Sequence, residues 1–600
     1  MLVYGDARRR ETAGEMLDGI RRSLREAASL AGIDRHGRLV AALIEAGELA
    51  QGIADRIFAE NGEVDDPSEP ADAALSLARA LARQVAASWR SDFREIGDEE
   101  ATDLALARLD LLAPPGPLEI KVPEGFAHYA VYPEAFLEAV GRLPRDAPVC
   151  VVGIRSIGTT LAAMACSGLP EGTPAFTVRP VGHPFGRHVA ASPVLRAALS
   201  RLSDHRFVIV DEGPGLSGSS IAAVATLLGD VGTPEERLHI LPSHGGEPGP
   251  EASNATRALW GRIARDVFTL DDVLLGSGRH ERRLEHWCRD LVGAPIAPLR
   301  DISGGAWREE RSGFGPERPP CHPWQERRKF LLETETGTWL LRFAGLGRTG
   351  LRKFEMARQL FEGGFVPEPA GWKHGFLVER WHGDARALDR GQDRGALVDR
   401  LGAYLAFRAD HFPSGPESGA SVPALFAMLR SNAEEALGGQ AAMAADRWAP
   451  DLDRLERRRR PVATDNRLHL WEWLVTERGL LKADALDHHV GHDLVGAQDM
   501  AWDVAGATVE FRLSAEEIAG LVGTIEAGGG DIVDPDLLRF MQSAYLAFQL
   551  GSYTMAEAGS PEGPDRELLA AAVLRYRGQL HLHLLGGKSP ENGSLAGRRS

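Results

Sequence analysis

The stretch Val208–Ser220, VIVDEGPGLSGSS, has the residue types and spacing to hold a phosphorylated sugar. Asp211 and Glu212 stand where a β-branched run ends, and two carboxylates at a strand's carboxyl end suit the two hydroxyls of a ribose. Ser217, Gly218, Ser219 and Ser220 then open the apolar segment Ile221 to Leu228. Unpaired amides at a helix N-terminus, aided by the helix dipole, favour a phosphate. Two further loops supply cations. CVVGIRSIGTTLA (Cys150–Ala162) reads as a buried strand, a glycine turn and a helix start, with Arg155 as a bidentate anion donor beside Ser156 and Gly158. TVRPVGHPFGRHVA (Thr177–Ala190) gathers Arg179, His183, Arg187 and His188 after the next strand.

The series of a strand, two acids and a Ser-Gly turn resembles the PRPP-binding loop of type I phosphoribosyltransferases, although Gly213–Leu216 makes the loop slightly longer. The resemblance implies PRPP as co-substrate, with pyrophosphate displaced from its C1 by a nitrogen or other nucleophile. Asp211 and Glu212 would be catalytic. PRPP would be held by Arg155, Ser156, Gly158, Arg179, Arg187, Ser217, Gly218, Ser219 and Ser220. The Arg155 loop would take the pyrophosphate, the Arg/His loop would form a hood, and Mg²⁺ would come bound to PRPP.

A second set of candidates lies past Pro298. DISGGAWRE (Asp301–Glu309) is a glycine-containing turn, and RRKFLLETETGTWLLRFAG (Arg327–Gly345) is a hairpin around Thr336-Gly337. LRKFEMARQLFEGG reads as a helix and GFLVERWHGD (Gly375–Asp384) as a further strand. TDNRLHLWEWLVTERGLLKAD carries Asp465, Glu472 and Asp484. A hairpin at Glu477-Arg478-Gly479 puts Glu472 and Asp484 at neighbouring strand ends, a pair suited to Mg²⁺.

The ordered series resembles the aminoglycoside-phosphotransferase branch of the protein-kinase-like fold. The resemblance implies ATP as co-substrate and phosphorylation of a small-molecule hydroxyl. Gly304 and Gly305 would form the phosphate loop, Arg342 the phosphate cation, and Glu355 its helix partner. The backbone around Glu379 to Trp381 would meet adenine. Asp465 would be the base, Asp484 the metal ligand, and Glu472 the stand-in for the family's Asn. Asp499 and Asp503 would brace the loop. Ala463 replaces the family's His, and with the Asn-to-Glu change it keeps open a regulatory reading: a nucleotide- or PRPP-sensing protein with a degenerate kinase-like domain. Asp487, His488, His489, His492 and Asp493 form a dense cluster that matches no firm zinc spacing.

Positioning these groups takes several folding units. Six hundred residues exceed one hydrophobic core. Residues 1–112 read as helices, a cap or a homodimerisation arm, in which Glu45, Glu48 and Gln51 line a polar groove or, the favoured reading, lie on a solvated face. Pro114, Pro115 and Pro117 mark a linker. Alternating strands and helices over 120–275 predict a Rossmann-like parallel sheet with ligands beyond the strands' carboxyl ends. Residues 298–585 predict a two-lobed unit, and 586–600 a disordered tail, so the fold class is α/β and α+β multidomain. A net charge of −17 argues against nucleic acid, and no apolar run is long enough for a bilayer. Four scattered cysteines argue against structural zinc and, with no secretory signal evident, suit a cytoplasmic chain acting on small phosphorylated molecules.

Overall fold

The computed structural model describes residues 8–311, 318–323, 325–389, 391, 393–490, 493–529 and 532–586. His492 and the tail beyond Gly586 lie outside the described residues. The chain enters as a strand, Arg8–Thr12, where a helix was expected, and pairs antiparallel with Pro117–Lys121. Thr12 then caps the helix Ala13–Ala28 in a capping box with Glu15. Three more helices follow, Gly32–Glu60, Glu69–Arg90 and Glu99–Leu112. Gly32–Glu60 is buried along most of its length. Gly47 and Gly52 lie close enough to Thr160 and Ile120 that a side chain at either would collide.

The middle of the chain forms a five-stranded parallel sheet. Its order is Ala175–Val178, Val149–Ile154, Arg206–Val210, Leu238–Leu241, Ala264–Arg265. The first strand in sequence therefore lies beside the third, and the strand order reverses between Ile154 and Val210. Such a switch point opens a crevice at the strands' carboxyl ends. Pro180–His183 and Gly186–Val189 form a separate hairpin over it.

The last part begins with a five-stranded antiparallel sheet: Arg300–Asp301, Lys329–Thr334, Gly337–Phe343, Phe376–Arg380, Pro369–Lys373. Thr334 pairs with Gly337 at the expected hairpin turn, and the helix Gly347–Glu362 crosses the sheet. A helical lobe follows, built on Arg394–His411, Met500–Phe511, Pro535–Gly559 and Pro564–Leu585, with the hairpin Trp473–Thr476/Gly479–Lys482 at its edge. Among the described residues no helix is long and apolar enough to cross a membrane.

The cores run across these units. One cluster unites Leu43, Leu81 and Val85 of the N-terminal helices with Leu161 beside the parallel sheet and Phe343, Phe376 and Val378 of the antiparallel sheet. A second cluster fills the helical lobe, and a third lies on the other face of the parallel sheet.

Candidate functional site

Asp465 follows the short strand Pro461–Val462 and is almost completely buried. Asp503, in the first turn of Met500–Phe511, accepts hydrogen bonds from the amides of Asp465 (2.7 Å) and Asn466 (2.8 Å). Asp499 caps the same helix through the Ala501 amide at 2.9 Å. Burial and the neighbouring Asp465 charge push the Asp503 carboxyl up to about 7. The Tyr404 hydroxyl donates to Asp465 Oδ2 at 2.5 Å. Lys482 Nζ lies 3.4 Å from Asp465 Oδ1 and 3.4 Å from Glu472 Oε2.

Asp484 stands just past the hairpin and meets Arg342 at 2.5 Å, while Arg342 also meets Glu379 at 3.1 Å. Burial opposes the Arg342 charge, but Glu379, Asp484 and Asp487 outweigh it, so its pKa lies above the usual value. Burial likewise opposes the Asp484 charge, and Arg342 more than compensates, holding that carboxyl well below its usual range. Arg467 lies 3.4 Å from Glu472. Asp465, Glu472 and Asp484 thus face Lys482, Arg467 and Arg342. Glu472 and Asp484 line one small cavity and offer hard carboxylate oxygens, a donor set that fits Mg²⁺.

Four expectations at this centre are corrected. Glu355 does not pair with Arg342; it lies exposed and is 3.5 Å from Arg358. The helix turns Lys353, Ala357 and Leu360 inward, and Lys353 pairs with Asp487 instead. Glu379 gives its side chain to Arg342, and its backbone lies in the sheet between Leu340 and Pro369. Trp381 spends its amide on the Thr338 carbonyl (3.1 Å), and its ring lines the cleft. Gly304 and Gly305 do not line the cleft; Gly305 makes room for the Arg308 guanidinium, which reaches Asp565. The cleft itself holds a cavity of only about 60 Å³, with Trp307 and Arg311 in its wall and the Arg311 guanidinium 4.7 Å above the Trp381 ring.

At the parallel sheet, Asp211 and Glu212 follow the strand Arg206–Val210. Burial pushes Asp211 up to about 6. Burial, with Glu124 and Asp211 adding to it, pushes Glu212 up to about 8. Glu212 lines a chamber of about 930 Å³ together with Tyr129 and Phe185. Arg328, Asp493 and Met555 of the C-terminal part close the same chamber.

The expected anion contacts around it are largely satisfied from within the protein. Arg155 is buried and bound to Asp55 (2.8 Å) and Asp65, and Arg179 is held by Asp55 as well. Neither guanidinium is presented as a free anion donor. Gly158 packs where an added side chain would meet the Val210 carbonyl, so it serves helix–strand contact. Ser156 precedes the helix Ile157–Ser167 without capping it through its side chain. Gly218 takes φ +65 at the start of Ser219–Asp230, and Ser220 sits in that first turn. Ser217 and Ser219 donate to the Pro184 carbonyl at 3.0 and 2.7 Å, so an oxygen of the hairpin sits against the serine turn. Arg187 stands exposed on the hairpin, with one long contact of 3.5 Å to the Pro180 carbonyl.

No protein-family model matches the chain, and no curated protein does. Solved structures of small-molecule kinases are similar over about half of it. The choline kinase LicA from Streptococcus pneumoniae is 13% identical, with 49% of this chain and 97% of that chain covered and a TM-score of 0.31. A choline/ethanolamine kinase family protein from Mesorhizobium loti is 16% identical over 43% and 88%, with a TM-score of 0.30. A thermostable mutant of the aminoglycoside phosphotransferase APH(4)-Ia is 14% identical over 48% and 98%, with a TM-score of 0.26.

Several site residues escaped the sequence reading. Lys482 carried a signal, being one of only six lysines in the chain and two residues before Asp484. Lys353 is another of the six, whereas Tyr404 and Arg408, whose guanidinium donates to the Tyr404 hydroxyl at 2.8 Å, sat in an ordinary helical pattern and carried none. Glu45, Glu48 and Gln51 are buried, not solvated. Glu45 and Glu48 line a second cavity of about 480 Å³ with Arg348, Lys353 and Ala463, and burial pushes Glu45 up to about 7.

Proposed function

We propose that the C-terminal part is an ATP-dependent phosphotransferase acting on a hydroxyl of a small molecule. The observation that carries this reading is the convergence of Asp465, Lys482, Glu472 and Asp484, with the Asp465 loop pinned by Asp503. Asp465 orients the acceptor hydroxyl and takes its proton as the oxygen–phosphorus bond forms. The bond from the γ-phosphorus to the bridging oxygen breaks, and ADP leaves. Lys482 and Arg342 neutralise charge on the transferring group from fixed positions. Glu472 and Asp484 would hold Mg²⁺, which supplies charge neutralisation at the phosphates when bound. Transfer requires the Trp307–Arg311 segment to withdraw from the cleft. The test is ADP release from Mg-ATP with a panel of small alcohols and amino alcohols, comparing wild type with Asp465→Asn. Acceptor-dependent release that the substitution removes supports the reading, and nucleotide binding without turnover on any acceptor favours the regulatory alternative.

A second reading concerns the parallel sheet. The placement of Glu212 at the switch point, on the wall of the 930 Å³ chamber, supports a sugar-phosphate ligand there. Transfer from PRPP is the finer form of that proposal. Pyrophosphate release that stops in Asp211→Asn/Glu212→Gln would support transfer, and PRPP binding without release would favour sensing.

A further inference from the structure

We propose that His36, Glu134 and His374 form a divalent-metal site, best matched to Zn²⁺, that fastens the N-terminal helices to the antiparallel sheet. The three residues come from the helix Gly32–Glu60, the helix Pro133–Ala139 and the turn between Pro369–Lys373 and Phe376–Arg380. His36 Nε2 and His374 Nε2 each lie 2.8 Å from Glu134 Oε1, and all candidate ligand atoms fall within 4.8 Å of one another. Side-chain exposures are 0%, 0% and 1%.

Hydrogen bonding alone does not complete this cluster. It leaves Glu134 Oε2 buried with no hydrogen-bond partner, a costly state for a carboxylate oxygen in a dry interior. A metal ion takes both carboxylate oxygens, and with two imidazoles that makes four donors. Two nitrogens and a carboxylate are a zinc donor set, and two nitrogen donors disfavour Mg²⁺ and Ca²⁺. The expectation against structural zinc rested on cysteine spacing, and no cysteine takes part here. Zinc bonds of about 2.0–2.2 Å at tetrahedral angles need the 2.8 Å contacts to open by about half an ångström.

The surroundings orient the donors. His36 Nδ1 is 3.0 Å from Ser88 Oγ, which aims the opposite nitrogen at Glu134. His374 adopts φ +40, a backbone that a non-glycine residue takes at a cost, and Tyr132 holds it by donating to its carbonyl at 2.8 Å.

Full-length protein, stripped with a chelator and dialysed, is titrated with Co²⁺ and then Zn²⁺. The expected result is one equivalent of Co²⁺ with visible d–d absorption, displaced by Zn²⁺, and a thermal midpoint raised by Zn²⁺. Folded Glu134→Gln and His374→Asn variants should each lose that equivalent. Crystals of the wild type grown with Zn²⁺ test the site without any substitution, through an anomalous peak at the zinc edge among the three side chains. No bound equivalent in the wild type, or a peak only elsewhere, overturns the proposal.

Discussion

Lys482 and Asp465 form a buried ion pair, with Nζ 3.4 Å from Oδ1. Both side chains are fully buried; Asp465 also takes the Tyr404 hydroxyl and lies 3.9 Å from Arg408, and Lys482 also meets Glu472. Lys482→Met is expected to cost about 3 kcal/mol in urea unfolding, because it removes a cation shared by two buried carboxylates and leaves Asp465 to Tyr404 and Glu472 to Arg467. Lys482→Arg should restore part of that. A Met variant as stable as wild type would refute the pairing.

Asp503 is the acceptor for two consecutive loop amides. Asp503→Asn turns one acceptor oxygen into a donor facing an amide. The expected cost is about 1–3 kcal/mol of stability. Turnover should fall at least about tenfold if Asp465 is the base. Phosphoryl-transfer rates on the folded variant check this, and an unchanged rate would remove Asp503 from any positioning role.

Glu212 gives a pH signature with a definite sign. Its folded-state pKa, about 8, lies above the ordinary 4.5, so the folded protein holds this proton longer than the unfolded chain does. Stability from that proton is full below 4.5 and disappears as pH rises through about 8. Glu212→Gln should therefore gain on wild type in thermal melts from pH 5 to 9. A stability difference that stays flat across this range would show that Glu212 titrates normally.

Trp307 and Arg311 wall the narrow cleft beside Arg342 and Asp484. Trp307→Ala with Arg311→Ala should tighten binding of a fluorescent ATP analogue about tenfold, equivalent to about 1.4 kcal/mol. Equal affinity in wild type and variant would mean that the segment does not compete with nucleotide.

The alternation of short apolar runs with helical patterns was enough to read the parallel sheet, and Thr336-Gly337 was enough to read the hairpin. Helix phase was harder. Glu355 and Lys353 are two residues apart, so they face opposite sides, and only tertiary packing selects Lys353 as the buried one. Arg155 shows a different gap. Its loop pattern is that of an anion turn, but Asp55 of the helix Gly32–Glu60 and Asp65 of the loop that follows it satisfy it. One-dimensional spacing holds no record of partners a hundred residues away. The same blindness hid the His36–Glu134–His374 cluster, whose members share no local pattern.

The common core has a bearing on how the chain is made. Leu43, Leu81 and Val85 are translated early, yet the cluster they enter is closed by Phe343, Phe376 and Val378. The helix Ile157–Ser167 covers part of that face early, but at roughly 5–20 residues per second a ribosome leaves the side toward the antiparallel sheet open for tens of seconds. A chain halted before Phe376 would carry that side of its hydrophobic seam exposed to solvent.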